Sequence, residues 1–120
     1  MDDPTGPVPD PQEGECLVCY VHRAVAEHGC DHTLRFARHY RDVRVPAATG
    51  LRARLARVGA ACDGAVLEVG WWPARVHWER DLHTDELRPP DPLPGCAGVV
   101  VTSARPCRLW VRPRAWDLPW

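Results

Sequence analysis

Apolar residues recur at helical spacing through the first half of the chain. Over residues 16–28 they follow one another at intervals of three and four, and they stop before Gly29, a residue type that commonly ends a helix. A second helix is predicted over residues 34–40 with Asp31 as its N-terminal cap, and a third within residues 46–59. The pattern therefore predicts three N-terminal helices.

The second half of the chain changes to short apolar runs, which predict strands. Runs at residues 65–72 and 74–78 predict a hairpin, and shorter runs lie at residues 99–102 and 108–111. Residues 81–95 are rich in proline and acids and are predicted to form a loop. All six tryptophans lie in this half, where we expect them to fill a small core and its rim. The resulting fold class is α+β, with three N-terminal helices packed on a small antiparallel sheet.

The length of 120 residues allows one domain with tails. Residues 1–15 contain five acids, four prolines and no arginine, which predicts a disordered acidic tail ahead of a single α+β domain over residues 16–120. No apolar run approaches the roughly 18–20 residues of a membrane span, and the N-terminus lacks a signal-peptide pattern. We therefore expect a cytoplasmic protein with no membrane segment.

Six cysteines are the main chemical feature of the sequence. Because thiols stay reduced in the cytoplasm, we consider metal binding, burial as inert thiols and thiol redox chemistry. If the first helix is continuous, Cys19 and Cys30 are eleven residues and about 16 Å apart along its axis. Two thiolates on one zinc ion lie no more than about 4.6 Å apart, so these two cysteines cannot share an ion.

The first helix thus divides the candidate zinc ligands into two sets. One set would form a closed, structural four-cysteine site that ties the C-terminal region to the helix: Cys16, Cys19, Cys96 and Cys107. The other set lies at the far end of the helix: Cys30, His32 and Cys62. Three ligands leave one coordination position open, which is the arrangement of a catalytic or exchangeable metal and also of a structural site that has lost a ligand.

All fifteen basic residues are arginines, and the absence of lysine, isoleucine and asparagine points to a GC-rich genome. The second and third helices present a basic face formed by Arg35, Arg38, Arg41, Arg44, Arg52, Arg54 and Arg57. A nucleic-acid-binding protein is therefore one alternative function, although the net charge of −1 favours a solvated basic face. A metalloenzyme that uses the three-ligand set, with Asp63 or Glu68 as a nearby base, is another alternative.

The chain resembles a family of small, uncharacterised actinobacterial proteins, a domain of unknown function, in three motifs: Cys16-Leu-Val-Cys-Tyr, Gly29-Cys-Asp-His-Thr-Leu-Arg and Cys62-Asp. The resemblance covers residues 15–72, and longer members also resemble residues 102–110. In this family the third motif usually reads Cys-Asp-Cys-Glu, whereas Gly64 and Ala65 complete it here. The resemblance therefore implies that the three-ligand set has lost one thiol and one carboxylate, and it implies no particular reaction.

The interpretation that the sequence favours is a non-enzymatic, cytoplasmic module stabilised by zinc. Its role would be regulatory, or would consist of binding a protein partner. No Ser/His/Asp nucleophile elbow, phosphate-binding loop or dinucleotide glycine motif is present in the sequence to indicate a substrate.

Overall fold

The computed structural model describes residues 8–90, 93–99 and 104–113, apart from the side chain of residue 75. Its helices are α1 (Leu17–His28), α2 (Arg35–Arg44), α3 (Leu51–Arg57) and α4 (Asp63–Ala65), with a π-helical turn over Val66–Gly70 and a 3-10 turn over Arg75–His77. Its strands are β1 (Trp72–Pro73), β2 (Glu79–Arg80), β3 (Leu87–Arg88) and β4 (Trp110–Val111). β1 pairs with β4 and β2 pairs with β3, both antiparallel. The predicted α+β fold class is confirmed.

The first helix, α1, supplies the centre of the core. Its buried face consists of Leu17, Val18, Tyr20, Val21 and Ala24. Tyr20 packs against the rings of Phe36 and Tyr40 in α2, at centroid distances of 6.5 and 5.7 Å. Gly29 follows α1 with a φ of 79°, a conformation that favours glycine, and its N–H donates to the carbonyl of Val25. The first predicted helix and its C-terminal glycine are confirmed.

The N-terminus of α2 is capped by Asp63 and not by Asp31. The Asp63 carboxylate accepts hydrogen bonds from the backbone N–H groups of Phe36 (2.9 Å) and Ala37 (3.0 Å). Asp31 instead accepts from the backbone and hydroxyl groups of Thr33. The predicted Asp31 cap is wrong because α2 begins four residues after Asp31, too far along the chain for it to occupy the capping position.

The segment predicted as a strand over residues 65–72 is mostly helical. α4 and the π-helical turn bury Asp63, Val66 and Gly70, which follow helical spacing, and Trp72 alone of the predicted strand lies in β1. A short apolar run does not distinguish a buried strand from a buried helix. Here the helical form lets the buried face pack against α1, and the strand prediction is wrong for this reason.

The other strand predictions hold only in part. Residues 74–78 contain the 3-10 turn Arg75–His77 and no strand, and the loop predicted over residues 81–95 contains β3. Of residues 108–111, the last two form β4. Val99 is outside any strand, and the rest of the strand predicted over residues 99–102 lies outside the described residues. The sheets are smaller than predicted, in keeping with the many prolines, which cannot donate to a strand ladder.

The acidic segment ahead of α1 packs on the helices over its described residues 8–15. Glu15 is buried, and its carboxylate accepts hydrogen bonds from the Arg23 guanidinium at 2.9 and 3.0 Å. The hydroxyl of Tyr20 donates to the carbonyl of Pro9 (2.6 Å). Over these residues the segment satisfies polar groups of α1, and the division into an acidic tail over residues 1–15 and a domain over residues 16–120 stays a prediction. The rest of that tail lies outside the described residues.

Apolar residues of the described chain gather in one core around α1. Trp110 joins this core, whereas Trp71, Trp72 and Trp78 are half-buried. Trp116 and Trp120 lie outside the described residues. Within the part of the chain that the structure describes, no helix is long and apolar enough to cross a membrane.

Candidate metal centre

Two cysteines lie at the start of α1. Cys16 occupies the N-terminal capping position, and its sulfur accepts a hydrogen bond from the backbone N–H of Cys19 (3.3 Å). This bond uses one of the N–H groups that a helix start leaves without an intrahelical partner. The local fold of a helix start therefore brings both sulfurs to the same end of α1.

The C-terminal segment brings two further cysteines to this helix end. The backbone N–H of Cys16 donates to the sulfur of Cys96 (3.3 Å), and the sulfurs of Cys19 and Cys107 are 3.8 Å apart. Gly98, with a φ of 88°, turns the chain so that its own N–H also donates to the sulfur of Cys96 (3.3 Å). We call these four residues, Cys16, Cys19, Cys96 and Cys107, the cysteine cluster.

The geometry of the cysteine cluster suits a single metal ion. Its four sulfur atoms all lie within 4.8 Å of one another. Sulfurs placed tetrahedrally at about 2.3 Å from a zinc ion would be about 3.8 Å apart, so a contraction of at most about 1 Å would complete such a site. The four cysteines are free thiols, of which Cys16 and Cys107 are buried, Cys19 is half-buried and Cys96 is exposed. The cluster could therefore hold a metal ion.

Hydrogen bonds within the cysteine cluster separate the acidities of its thiols. A hydrogen bond from the Cys19 thiol lowers the pKa of Cys16 to about 5, in spite of its burial. The same bond and burial raise the pKa of Cys19, while burial raises the pKa of Cys107. The indole N–H of Trp110 donates to the sulfur of Cys19 (3.1 Å). The donor at Cys19 favours a thiolate at Cys16, and the thiolate is the form of cysteine that binds metals.

A cavity of about 420 Å³ adjoins the cysteine cluster. Its walls include Cys19 and Cys96 together with His22 and Trp110. The rings of His22 and Trp110 lie 5.9 Å apart, and burial lowers the pKa of His22. One side of the cluster is therefore open to small molecules, while Cys16 is fully buried on the other side.

The second candidate set lies at the opposite end of α1, where α1, α2 and α4 meet. The sulfur of Cys30 accepts hydrogen bonds from the backbone N–H groups of His32 (3.4 Å) and Gly64 (3.2 Å). Burial, together with a hydrogen bond to the Cys30 thiol, raises the pKa of Cys62. His32 is exposed, and among the described residues its ring does not form a ligand group with the two sulfurs. The structure thus brings two of the three predicted ligands together.

Asp63, expected as a catalytic base beside the second set, lies in a helix cap. It is fully buried, and each of its oxygens accepts a backbone N–H from the first turn of α2. Burial raises the pKa of this carboxyl, although the two N–H groups oppose the change. Glu68, the other expected base, is exposed. The described surroundings of Asp63 are therefore those of a structural residue.

The arginines considered for nucleic-acid binding do not form one continuous basic face. Arg35 is buried beside Asp31 (3.7 Å), so its prediction as an exposed contact residue is wrong. Arg41 pairs with Asp42 (3.1 Å), and Arg44 donates to a carbonyl of the N-terminal segment. The exposed members of the group are Arg38, Arg52, Arg54 and Arg57.

Residues 17–68 match a family model described as "Protein of unknown function (DUF2695)". We call these residues, which make up less than half of the chain, the DUF2695 segment. The resemblance of the motifs to an uncharacterised family is thereby confirmed. No curated protein and no solved structure matches the chain.

The DUF2695 segment holds the second candidate set but little of the cysteine cluster. Cys30, His32 and Cys62 all lie inside the matched residues, with α1 to α4. Of the cysteine cluster, Cys19 lies inside the match, whereas Cys16 precedes it and the other two follow it. The cluster therefore depends on how the chain beyond the DUF2695 segment returns to α1.

The sequence did not indicate the observed roles of two residues near these sites. Trp110 was expected only to fill the core, yet its indole N–H donates to the sulfur of Cys19. Asp63 was considered as a base, yet it caps a helix that begins 28 residues earlier in the chain, at Arg35. A helix start that lacks its own capping residue is the sequence signal that could have indicated a cap from elsewhere.

Proposed function

We propose that the cysteine cluster binds one zinc ion and that this ion stabilises a small, non-enzymatic module. The observation that carries the proposal is the convergence of four free cysteine sulfurs to within 4.8 Å of one another. The sulfurs of Cys19 and Cys107 meet although they are 88 residues apart in sequence. A compact tetrahedral set of four thiolates is typical of zinc, and its size suits one ion.

Hydrogen-bond donors around the cluster support this assignment. Zinc with four thiolates carries a net charge of about −2, which N–H donors stabilise. The sulfurs of Cys16 and Cys96 accept backbone N–H groups, and that of Cys19 accepts the indole N–H of Trp110. These donors also fix the orientation of the sulfurs before a metal arrives.

The zinc ion would act as a staple between α1 and the last strand. Cys107 lies three residues before Trp110, whose strand β4 pairs with β1. A domain of about 100 residues gains only marginal stability from burial, so a metal crosslink of this kind contributes a large share of it. Four protein ligands also fill the tetrahedral coordination of zinc, which favours a structural role over catalysis.

The role of such a module would be regulatory, or would consist of binding a protein partner. A site of four reduced thiols suits the cytoplasm, because that compartment keeps thiols out of disulfides. The module would present its surface to a partner while the zinc ion holds the start of α1 against the segment that precedes β4.

Metal stoichiometry tests the proposal directly. Native mass spectrometry and elemental analysis of the purified chain are expected to give one zinc per chain. Cys16→Ser and Cys107→Ser are each expected to lose zinc to a chelator far more readily than the wild type, because three remaining thiols hold zinc more weakly.

Cys30→Ser is the control, since Cys30 is a half-buried free thiol at the other end of α1. It is expected to retain one zinc. Zinc that survives in Cys107→Ser but is lost in Cys30→Ser would refute the assignment of the cluster.

A further inference from the structure

A second cavity, of about 250 Å³, lies between the start of α2 and α3. Its walls are formed by His32, Thr33, Leu34, Arg38, Arg52 and Ala61. Leu34 is nearly buried and supplies an apolar floor, whereas Arg38 and Arg52 are exposed and supply the rim. We call this cavity the arginine cleft.

The arginine cleft carries an excess of positive charge. No acidic residue lines it, and within the described chain neither Arg38 nor Arg52 has an ion pair. Asp31, the acid closest in sequence, is engaged by Thr33 and by Arg35. Within the described chain, no carboxylate therefore neutralises the two guanidinium groups of the rim.

The wall of the arginine cleft is held in place by backbone hydrogen bonds. The N–H of Asp63 donates to the carbonyl of Thr33 (2.9 Å), and the N–H of His32 donates to the sulfur of Cys30 (3.4 Å). His32 adopts a φ of 69°, which side chains other than glycine rarely take. Because the Asp63 carboxylate already caps α2, the helix start does not serve as a ligand site, and the rim arginines remain as the charged groups.

We propose that the arginine cleft binds a small phosphate-type oxyanion between Arg38 and Arg52. A guanidinium presents a planar pair of N–H donors that matches two oxygens of a phosphate, and an apolar floor strengthens such charge-assisted bonds. His32 stands at the same wall and can supply a further polar contact. The volume lies below the roughly 300–1,000 Å³ of pockets for drug-sized ligands, which favours a small anion.

Titration of the purified, folded full chain with inorganic phosphate tests this proposal. We expect saturable binding in ¹H–¹⁵N NMR spectra, with the largest shifts at His32, Thr33 and Ala61. Arg38→Gln and Arg52→Gln are each expected to weaken phosphate binding about tenfold or more, since each removes a charge-assisted contact.

Arg54→Gln and Arg57→Gln are the matched controls, because both arginines are exposed on α3 and lie outside the cleft. They remove the same charge and are expected to change the affinity by less than about twofold. All four variants should keep the metal content and the melting temperature of the wild type, because these side chains are exposed.

Two results would overturn the proposal. One is the absence of phosphate binding up to tens of millimolar by the correctly folded chain. The other is an equal weakening by all four substitutions, measured with phosphate and with a single-stranded oligonucleotide, which would indicate a diffuse basic surface that contacts nucleic acid. Neither result depends on the metal assignment of the cysteine cluster.

Discussion

At the N-terminal end of α1, Cys16 and Cys19 face two cysteines from the C-terminal segment, and all four sulfur atoms lie within 4.8 Å of one another. At the C-terminal end of the same helix, Cys30 faces the backbone N–H groups of His32 and Gly64, and Cys62 stands beside the buried Asp63. Both ends thus bring cysteines from distant segments together. Only the first end gathers four of them within the described residues.

The difference between the two ends lies in what satisfies their polar groups. At the second end, Cys30 and Asp63 accept backbone N–H groups, and Asp63 closes the start of α2 without help from an ion. At the N-terminal end of α1, the four sulfurs lie close together. Four ionised thiolates would repel one another there without a cation. A cysteine cluster of this kind predicts a metal, whereas the corner of Cys30, Cys62 and Asp63 is complete as a hydrogen-bonded junction.

Removal of a cluster ligand is expected to have the largest effect. Cys16→Ser or Cys107→Ser should each lower the free energy of unfolding by about 4 kcal/mol, because loss of a structural metal is among the most destabilising changes known. Urea denaturation in zinc-buffered solution measures this loss. The indole N–H signal of Trp110 should also shift, since that group donates to Cys19.

Cys30→Ser is the control for this comparison. It should lower the free energy of unfolding by about 1 kcal/mol, because it changes an acceptor of two backbone N–H groups. If the two ends of α1 proved equally sensitive, the distinction between a metal site and a hydrogen-bonded junction would fail.

Removal of the cap at the second end is expected to have the next largest effect. Asp63→Ala leaves the N–H groups of Phe36 and Ala37 buried without partners and should cost about 2–4 kcal/mol in stability. Zinc stoichiometry should stay at one. Chemical denaturation followed by circular dichroism measures the change.

Asp31→Ala and Glu68→Ala serve as controls for this prediction. Asp31 contacts the backbone and hydroxyl of Thr33 and the side chain of Arg35, so Asp31→Ala should lower the free energy of unfolding by about 1 kcal/mol. Glu68 is exposed, so Glu68→Ala should change the free energy of unfolding by about 0.5 kcal/mol or less. A larger cost for Asp31→Ala than for Asp63→Ala would mean that the cap is assigned to the wrong residue.

The substitution Gly64→Cys would make the C-terminal end of α1 more similar to the N-terminal end, because it adds a third sulfur. A Cβ added at Gly64 would lie 3.2 Å from the sulfur of Cys30, so a cysteine there brings a third sulfur to Cys30 and Cys62 after a small adjustment. We expect a second zinc ion per chain, bound more weakly and released first by a chelator. Native mass spectrometry counts the ions; Gly64→Ala, which adds the same crowding without a thiol, should keep one.

A count that stays at one in the folded Gly64→Cys variant would show that this junction does not accept metal even with three sulfurs. Cys30, His32 and Cys62 would then be assigned to packing and hydrogen bonding.

The smallest expected effect concerns His22, which lines the cavity beside the cysteine cluster. Burial lowers its pKa below the ordinary value of 6.5, so the unfolded chain binds this proton more tightly than the folded chain. Its contribution to stability is therefore present above pH 6.5 and is lost as the pH falls through the lowered pKa. His22→Gln should reduce the loss of stability between about pH 7.5 and pH 5.5.

Denaturation of wild type and His22→Gln at both pH values measures this difference, and the zinc ligands, which are the same in both proteins, cancel from the comparison. A pH dependence that is identical in the two proteins would contradict the burial of His22.

The periodicity of apolar residues was sufficient to predict the helices that bury one apolar face in the core. The apolar spacing and Gly29 predicted α1 closely, because an amphipathic helix and its C-terminal glycine are local properties. Helix length also separated Cys19 from Cys30, since the rise per residue is a constant of the α-helix. The assignment of the cysteines to two ends of α1 could therefore be predicted from the sequence.

Tertiary structure decided the features that depend on a partner distant in the chain. Residues 65–72 had a pattern compatible with a strand, and packing against α1 selected the helical form for most of them. Asp63 became the cap of α2, and Trp110 a donor to Cys19, because the folded chain placed each beside an unsatisfied group. Local sequence specifies which hydrogen-bonding groups exist, whereas only the fold determines which of them meet, and burial then makes each pairing obligatory.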